Sequence, residues 1–136
     1  MLEAVHIIPQ RQANDCGISC LAMLLGVSYE EASRAIREIN PKSMAKNGLY
    51  IKELEQAGRL LGGSFKRRRK IDLESDTGIL RLAHADHPHR MGHFVILQDG
   101  RIIDPADGGM VWDTLTYLEA HKFVPKTLLT LKKEAR

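Results

Sequence analysis

Residues 92–105 read Gly-His-Phe-Val-Ile-Leu-Gln-Asp-Gly-Arg-Ile-Ile-Asp-Pro. The β-branched and aromatic run that follows His93 suits a strand. Asp99-Gly100 is the dipeptide that tolerates the left-handed backbone of a two-residue hairpin turn. Arg101 to Asp104 then returns as the second strand, and Pro105, with no N–H to donate, stops it. A hairpin turning at Asp99-Gly100 brings its open ends together. His93 stands at one end and Asp104 at the other, so an imidazole and a carboxylate are expected side by side.

Outward from this hairpin, the second half of the chain reads as strands. Ser64 to Asp72, Ile79 to His84 and Thr127 to Leu131 are further strand segments, and Thr114 to His121 reads as a short helix. The first half reads as helices. Ile18, Leu21, Ala22 and Leu25 recur on one helical face from Cys16 to Leu25, with Gly26 as the stop. Ser28 and Glu31 form a capping-box pair that opens a second helix through Ala32, Ala35, Ile36 and Ile39, ended by Asn40-Pro41. A third runs from Ile51 through Leu54, Ala57 and Leu61 to Gly62-Gly63. Helices first and strands second predict an α+β domain, with a helical layer packed on an antiparallel sheet.

Composition bounds the rest. The chain has 136 residues, which is one domain's length, so residues 1–136 are expected to form a single domain able to bury a core without disulfide or metal. Apolar residues make up 43% and aromatics 5%, so the core is aliphatic. The longest apolar run, Cys20 to Leu25, is too short to span a bilayer. Residues 1–10 do not read as a signal peptide, so an intracellular, cytoplasmic protein is expected. The net charge is +3. Removing Lys66-Arg67-Arg68-Arg69-Lys70 from the 20 Lys and Arg leaves 15 against 17 Asp and Glu. The basicity is therefore local. No aromatic residue is interleaved in the run, so it does not read as a nucleic-acid site. It reads as an edge or solvated strand, with steering of an acidic partner as the functional alternative.

Two cysteines, Cys16 and Cys20, lie one helical turn apart, a poor frame for a disulfide and too few ligands for zinc. Cys16 falls where the first helix begins. Backbone N–H groups and the positive end of the helix dipole favour a thiolate there. Gly17 beside it leaves room for a substrate carbonyl. Cys20 lies deeper, among Leu21 and Met23, and reads as packing. A thiol nucleophile needs a base and a group that orients the base, which His93 and Asp104 supply. Gln10, six residues before Cys16, offers a neutral amide to an oxyanion, together with the Cys16 backbone N–H. Gln12 is a rival at shorter spacing. Asp15 reads as a turn or cap residue.

The stretch Gln10 … Asp15-Cys16-Gly17-Ile18-Ser19-Cys20-Leu21-Ala22-Met23-Leu24 resembles the opening of the bacteriocin-processing, double-glycine-leader cysteine peptidases of the papain-like superfamily. Gly92-His93-Phe94-Val95-Ile96-Leu97 and Ile102-Ile103-Asp104-Pro105-Ala106 match that family's histidine and aspartate strands. The resemblance implies a papain-like fold, with Cys16 as nucleophile, His93 as base and then acid, Asp104 as orienter and Gln10 as oxyanion donor. It implies no cofactor and a peptide substrate cut after small residues such as Gly-Gly. It also implies an ABC exporter as a partner in trans. Two other functions fit the same residues: a papain-like effector or toxin that hydrolyses or deamidates a target protein, and a silent peptide-binding module on the same scaffold.

Other features read more plainly. His84, Asp86, His87 and His89 fall in a polar loop bordering the hairpin, and no second ligand cluster of regular spacing makes a metal site of them. Asp107 reads as a turn residue before Gly108-Gly109. Leu60-Leu61-Gly62-Gly63 itself resembles a double-glycine cleavage sequence and reads as a helix ending in glycines.

Overall fold

A computed structural model describes residues 6–11, 15–42, 49–87 and 92–132. Three helices come first: α1 (Cys16–Leu25), α2 (Tyr29–Ile39) and α3 (Ile51–Leu60). The strands are β1 (Phe65–Arg68), β2 (Gly78–His84), β3 (His93–Gln98), β4 (Arg101–Asp104), β5 (Met110–Asp113) and β6 (Phe123–Leu131). A 3-10 turn (Pro105–Asp107) follows β4, and α4 (Thr114–His121) joins β5 to β6. The six strands form one antiparallel sheet in the order β1-β6-β2-β3-β4-β5. Among the described residues, no helix is long and apolar enough to cross a membrane.

The α+β expectation holds, and the layering adds a second core. On one sheet face Ile79, Phe94, Ile96, Ile103 and Leu129 pack with α1, α2 and α3. On the other, Leu80, Leu82, Val95, Leu97, Ile102 and Leu128 pack with Tyr117 of α4. Neighbours in a strand point to opposite faces. The unbroken Phe94-Val95-Ile96-Leu97 run is thus a strand buried on both sides. Helix α1 is the central helix. Its residues 17–23 are buried all round rather than along one face, as expected of a helix apolar on every side. Gly26 ends it at φ 69°, its N–H donating to Ala22 O.

Helix α2 starts on the expected capping box: Glu31 N–H donates to Ser28 Oγ at 3.0 Å and Ser28 N–H to Glu31 Oε1 at 3.3 Å. The buried Glu53 ties α2 to α3, accepting from Tyr50 N–H at 2.9 Å and from Asn40 Nδ2 at 2.8 Å. Leu61-Gly62-Gly63 closes α3, with Gly63 N–H donating to Gly58 O at 2.8 Å, so these glycines end a helix as read.

Three strand readings change. The cationic segment pairs only over Phe65–Arg68, at the sheet edge against β6, and Arg69 and Lys70 lie outside it. Strand β5 forms over Met110–Asp113, where no strand was expected. Strand β6 begins four residues earlier than expected, because β2 is long enough to pair with it from Phe123 onward. Pro125 is accommodated where the β2–β6 register shifts between Arg81 and Leu82, a bulge being one of the few places in a sheet that tolerates proline.

The hairpin turns where expected, with Asp99 at φ 51° and Gly100 at φ 73°. Gly92 seats it against β2: a Cβ there would lie 2.0 Å from Leu82 O. Gly92→Ala therefore has to push the start of β3, and His93 with it, away from β2. The expected outcome is a loss of stability of about 1–3 kcal/mol in chemical denaturation, with a loss of Cys16 reactivity toward iodoacetamide under conditions where the variant is folded.

Candidate active site

The hairpin does bring His93 and Asp104 together. His93 Nε2 lies 2.7 Å from Asp104 Oδ1. Asp104 is 4% exposed, and a carboxylate buried so far needs donors on its oxygens. Oδ1 also accepts from Ala106 N–H at 2.8 Å, a bond made by the turn that Pro105 starts, and Oδ2 accepts from the Tyr117 hydroxyl at 2.6 Å. Burial pushes the Asp104 pKa up, but the bonds and charge of His93 and the bonds from Tyr117 and Ala106 outweigh it and hold the pKa below the usual carboxylate value.

Cys16 begins α1, half-buried, against the face of the sheet that carries β3. It lies near enough to His93 to act on the ring's ionisation, as a hydrogen-bond partner and as a charge. With Nε2 turned to Asp104, Nδ1 is the ring nitrogen left to meet the thiol. Burial alone would lower the His93 pKa. The hydrogen bonds to Asp104 and Cys16, and the charges of both, push it up to about 10. Cys20 is fully buried, and burial raises its thiol pKa well above the ordinary value. It packs in the helix-side core, as read.

Gln10 is strapped to the same corner. Its N–H donates to Pro105 O at 3.0 Å, and its side-chain oxygen is buried. Gln12 lies outside the described residues. Asp15 stands at the N-terminus of α1 but makes no side-chain cap bond to it. The reading as a cap changes: the fully buried carboxylate accepts from the Tyr29 hydroxyl at 2.5 Å and from Arg11 N–H at 2.9 Å. The Arg11 guanidinium lies 4.1 Å over the Tyr29 ring and pairs with Glu30 at 2.6 Å. These contacts pin the N-terminal strap to α2. Gly17 also has another reason than the one expected. It is buried, and a Cβ there would meet Leu49 at 2.9 Å and Phe94 at 3.4 Å. The missing side chain lets α1 settle onto β3.

A pocket of about 440 Å³ opens beside this corner. Gly92 and Phe94, which flank His93, line it together with Leu49 and Tyr50. Lys52, Arg67, Arg69 and Arg81 make its wall cationic, and Arg67 is paired with Glu55. Tyr50 is 62% exposed.

Sequence reasoning missed Tyr117, visible only as one residue of a short helix. Its sole signal was an aromatic residue at a helix position facing the sheet. Asp107 is a turn residue as read, accepting from Met110 N–H and from Trp112 Nε1. His84 packs its ring on Phe123 at 4.9 Å. His89 lies outside the described residues. Among those described, no group of three or more His, Cys, Asp or Glu side chains is placed to hold a metal ion.

Residues 4–116 match the model of the Peptidase C39 family. No curated protein matches the chain. Among solved structures, it is similar to a double glycine motif protease from an AMS/PCAT transporter, solved in complex with the leader peptide, with TM-score 0.68 and 22% identity over 96% of this chain and 92% of that one. It is also similar to the peptidase domain of Streptococcus ComA, a bi-functional ABC transporter involved in a quorum-sensing pathway, with TM-score 0.56 and 18% identity over 95% and 100%. The peptidase domain of Streptococcus mutans ComA gives TM-score 0.58 and 17% identity over 91% and 98%. With a family match over most of its length and a papain-like fold that brings a thiol, an imidazole and a carboxylate into one corner, the chain belongs to the Peptidase C39 family of cysteine peptidases.

Proposed function

We propose that this chain cuts a leader peptide after a pair of small residues, with Cys16 as nucleophile and His93 and Asp104 completing the triad. The observation that carries this reading is His93, which meets Asp104 through Nε2 and whose pKa is raised by both Asp104 and Cys16. Transfer of the thiol proton to Nδ1 produces a thiolate beside an imidazolium. Sγ attacks the scissile carbonyl carbon, and the carbonyl oxygen takes the charge. Gln10 NH2 and the Cys16 N–H at the start of α1 are the donors for that oxyanion. On collapse the C–N bond breaks, and His93 hands its proton to the leaving amine. Water then adds to the thioester as His93 takes a proton from it. The acid leaves, and the proton returns to sulfur. No cofactor enters these steps.

The substrate reading rests on the family and on the pocket. The neighbour solved with a leader peptide is a double glycine motif protease, and the pocket is lined by Gly92 and Phe94, the chain neighbours of His93. Its cationic wall favours peptides with acidic side chains beside apolar ones. An ABC exporter remains the natural partner, because two of the similar structures are peptidase domains of such a transporter. A silent binding module would have no need to hold the three side chains in bonding reach.

A Gly-Gly leader peptide is expected to be cut just after the pair, and bulky residues at that pair to slow cutting. Equal cutting of both peptides sinks the substrate assignment. Cys16→Ala should abolish cutting, and Gln10→Ala should lower kcat by roughly 10²–10³-fold, the effect of losing one oxyanion donor. Without any substrate, mass spectrometry should find Cys16 alkylated faster than Cys20 at mildly acidic pH, with that advantage lost in His93→Ala. If both thiols react alike, the thiol–imidazole pair is not the working device.

Arg69→Glu together with Arg81→Glu should raise KM for an acidic peptide several-fold at low salt, and the difference should shrink as salt screens the charges. An unchanged KM removes the cationic wall from substrate choice.

The proton on His93 gives a pH test. Its pKa in the fold, about 10, lies above the ordinary value, so the folded chain binds that proton more tightly than the unfolded one. The stability this contributes is complete below about pH 6.5 and is lost as pH rises through about 10. Asp104 works in the opposite sense, its contribution being lost as pH falls through its depressed value. In NMR, the His93 ring should stay protonated through neutral pH, and Cys16→Ala should lower its midpoint by removing the sulfur's bond and charge. A midpoint indifferent to Cys16→Ala would contradict the pairing.

A further inference from the structure

Helix α4 places Tyr117 behind the carboxylate, on the sheet face away from α1. Tyr117 is 0% exposed, and its hydroxyl donates to Asp104 Oδ2 at 2.6 Å. Its ring is held on several sides. His121 stacks on it at 4.1 Å, Trp112 meets it edge-on at 5.8 Å and Phe123 stacks at 6.0 Å. Phe123 also stacks on His93 at 6.0 Å. The aromatic cluster therefore spans from the donor of Oδ2 to the ring bonded at Oδ1.

We propose that Tyr117 is a positioning residue of the reaction: its hydroxyl fixes Oδ2 of Asp104, so that Oδ1 stays ionised and aimed at Nε2 of His93. This rests on the reading of Asp104 as the partner of a catalytic His93. A carboxylate held at one oxygen can rotate about its own axis. Donors on both oxygens, Ala106 N–H on Oδ1 and Tyr117 on Oδ2, lock its plane. Burial, then the bond to Asp104, raises the Tyr117 pKa far above its ordinary value, so the hydroxyl remains a donor wherever the peptidase works. The titratable groups around the carboxylate are His93 from β3, Tyr117 from α4, and Cys20 and Cys16 from α1, the last acting through His93. Asp107 acts on Tyr117 from the turn after β4. Of these, Tyr117 and His93 bond the carboxylate directly.

Tyr117→Phe keeps the ring and removes the donor. Asp104 then protonates at higher pH, and the acid limb of activity follows it. In the full chain, kcat on a Gly-Gly leader peptide should fall on the order of tenfold, the worth of a hydrogen bond to a charged group, with KM nearly unchanged. The acid limb of kcat/KM should move up by about one unit. The pH profile of Cys16 alkylation should move the same way, and it needs no substrate. A variant with a lower unfolding midpoint but an unshifted limb overturns the inference, since Tyr117 would then only pack. If alkylation shifts while neither chain cuts the peptide, the substrate reading fails and the positioning role stands. If Tyr117→Phe does not fold, NMR of the native chain decides: a slowly exchanging, far-downfield Tyr117 hydroxyl proton is expected, and its absence overturns the proposal.

Discussion

One buried carboxylate sets the terms for the rest of this structure. Asp104 sits almost out of reach of water at the end of β4, where an unpaired charge would be costly. Three neighbours answer that cost. His93 comes from the adjoining strand, Ala106 N–H from the turn that Pro105 starts, and the Tyr117 hydroxyl from the helix beneath. Bonds to a charged group are worth about 1.5–3 kcal/mol each, so the three together keep the group ionised in an apolar setting. The same bonds fix His93, and through His93 the site's geometry toward Cys16.

The sheet makes this possible by being buried on both faces. Its helix side receives α1, whose first residue is Cys16, and its other side receives α4, which brings Tyr117. Because β-strand side chains alternate, one strand can serve both layers. Phe94 and Ile96 look toward α1, and Val95 and Leu97 look toward α4. Two glycines set the close approaches. Gly17 lets α1 lie on Leu49 and Phe94, and Gly92 lets β3 start against the β2 backbone. Each lies next to a residue of the proposed triad, so the spacing between sulfur and imidazole depends on two positions that carry no side chain.

Much of the site was legible in local terms. The Asp99-Gly100 turn, the capping box at Ser28 and the glycine stop at Gly26 act through neighbours in sequence, and each lies where expected. His93 and Asp104 could be paired because a tight hairpin leaves one register. Asp15 was harder. Its place before α1 suggested a cap, yet its carboxylate meets a hydroxyl 14 residues away. Gly17, read as leaving room for a substrate carbonyl, also leaves room for Leu49 and Phe94. The cationic run read as one long strand and pairs with β6 over only four residues, Phe65 to Arg68.

The sequence by itself determined the elements and their chemistry: a thiol at a helix start, an imidazole and a carboxylate at hairpin ends, and apolar runs that must be covered. Those follow from backbone preference and the period of hydrophobic residues, which act over a few positions. Only the tertiary structure decided which layer covers which face, that β5 pairs with β4, and that a tyrosine from α4 stands behind the aspartate. These are contacts between residues distant in the chain. They are selected by the joint need to bury apolar surface and to leave no charge unmet, and no local pattern encodes that need.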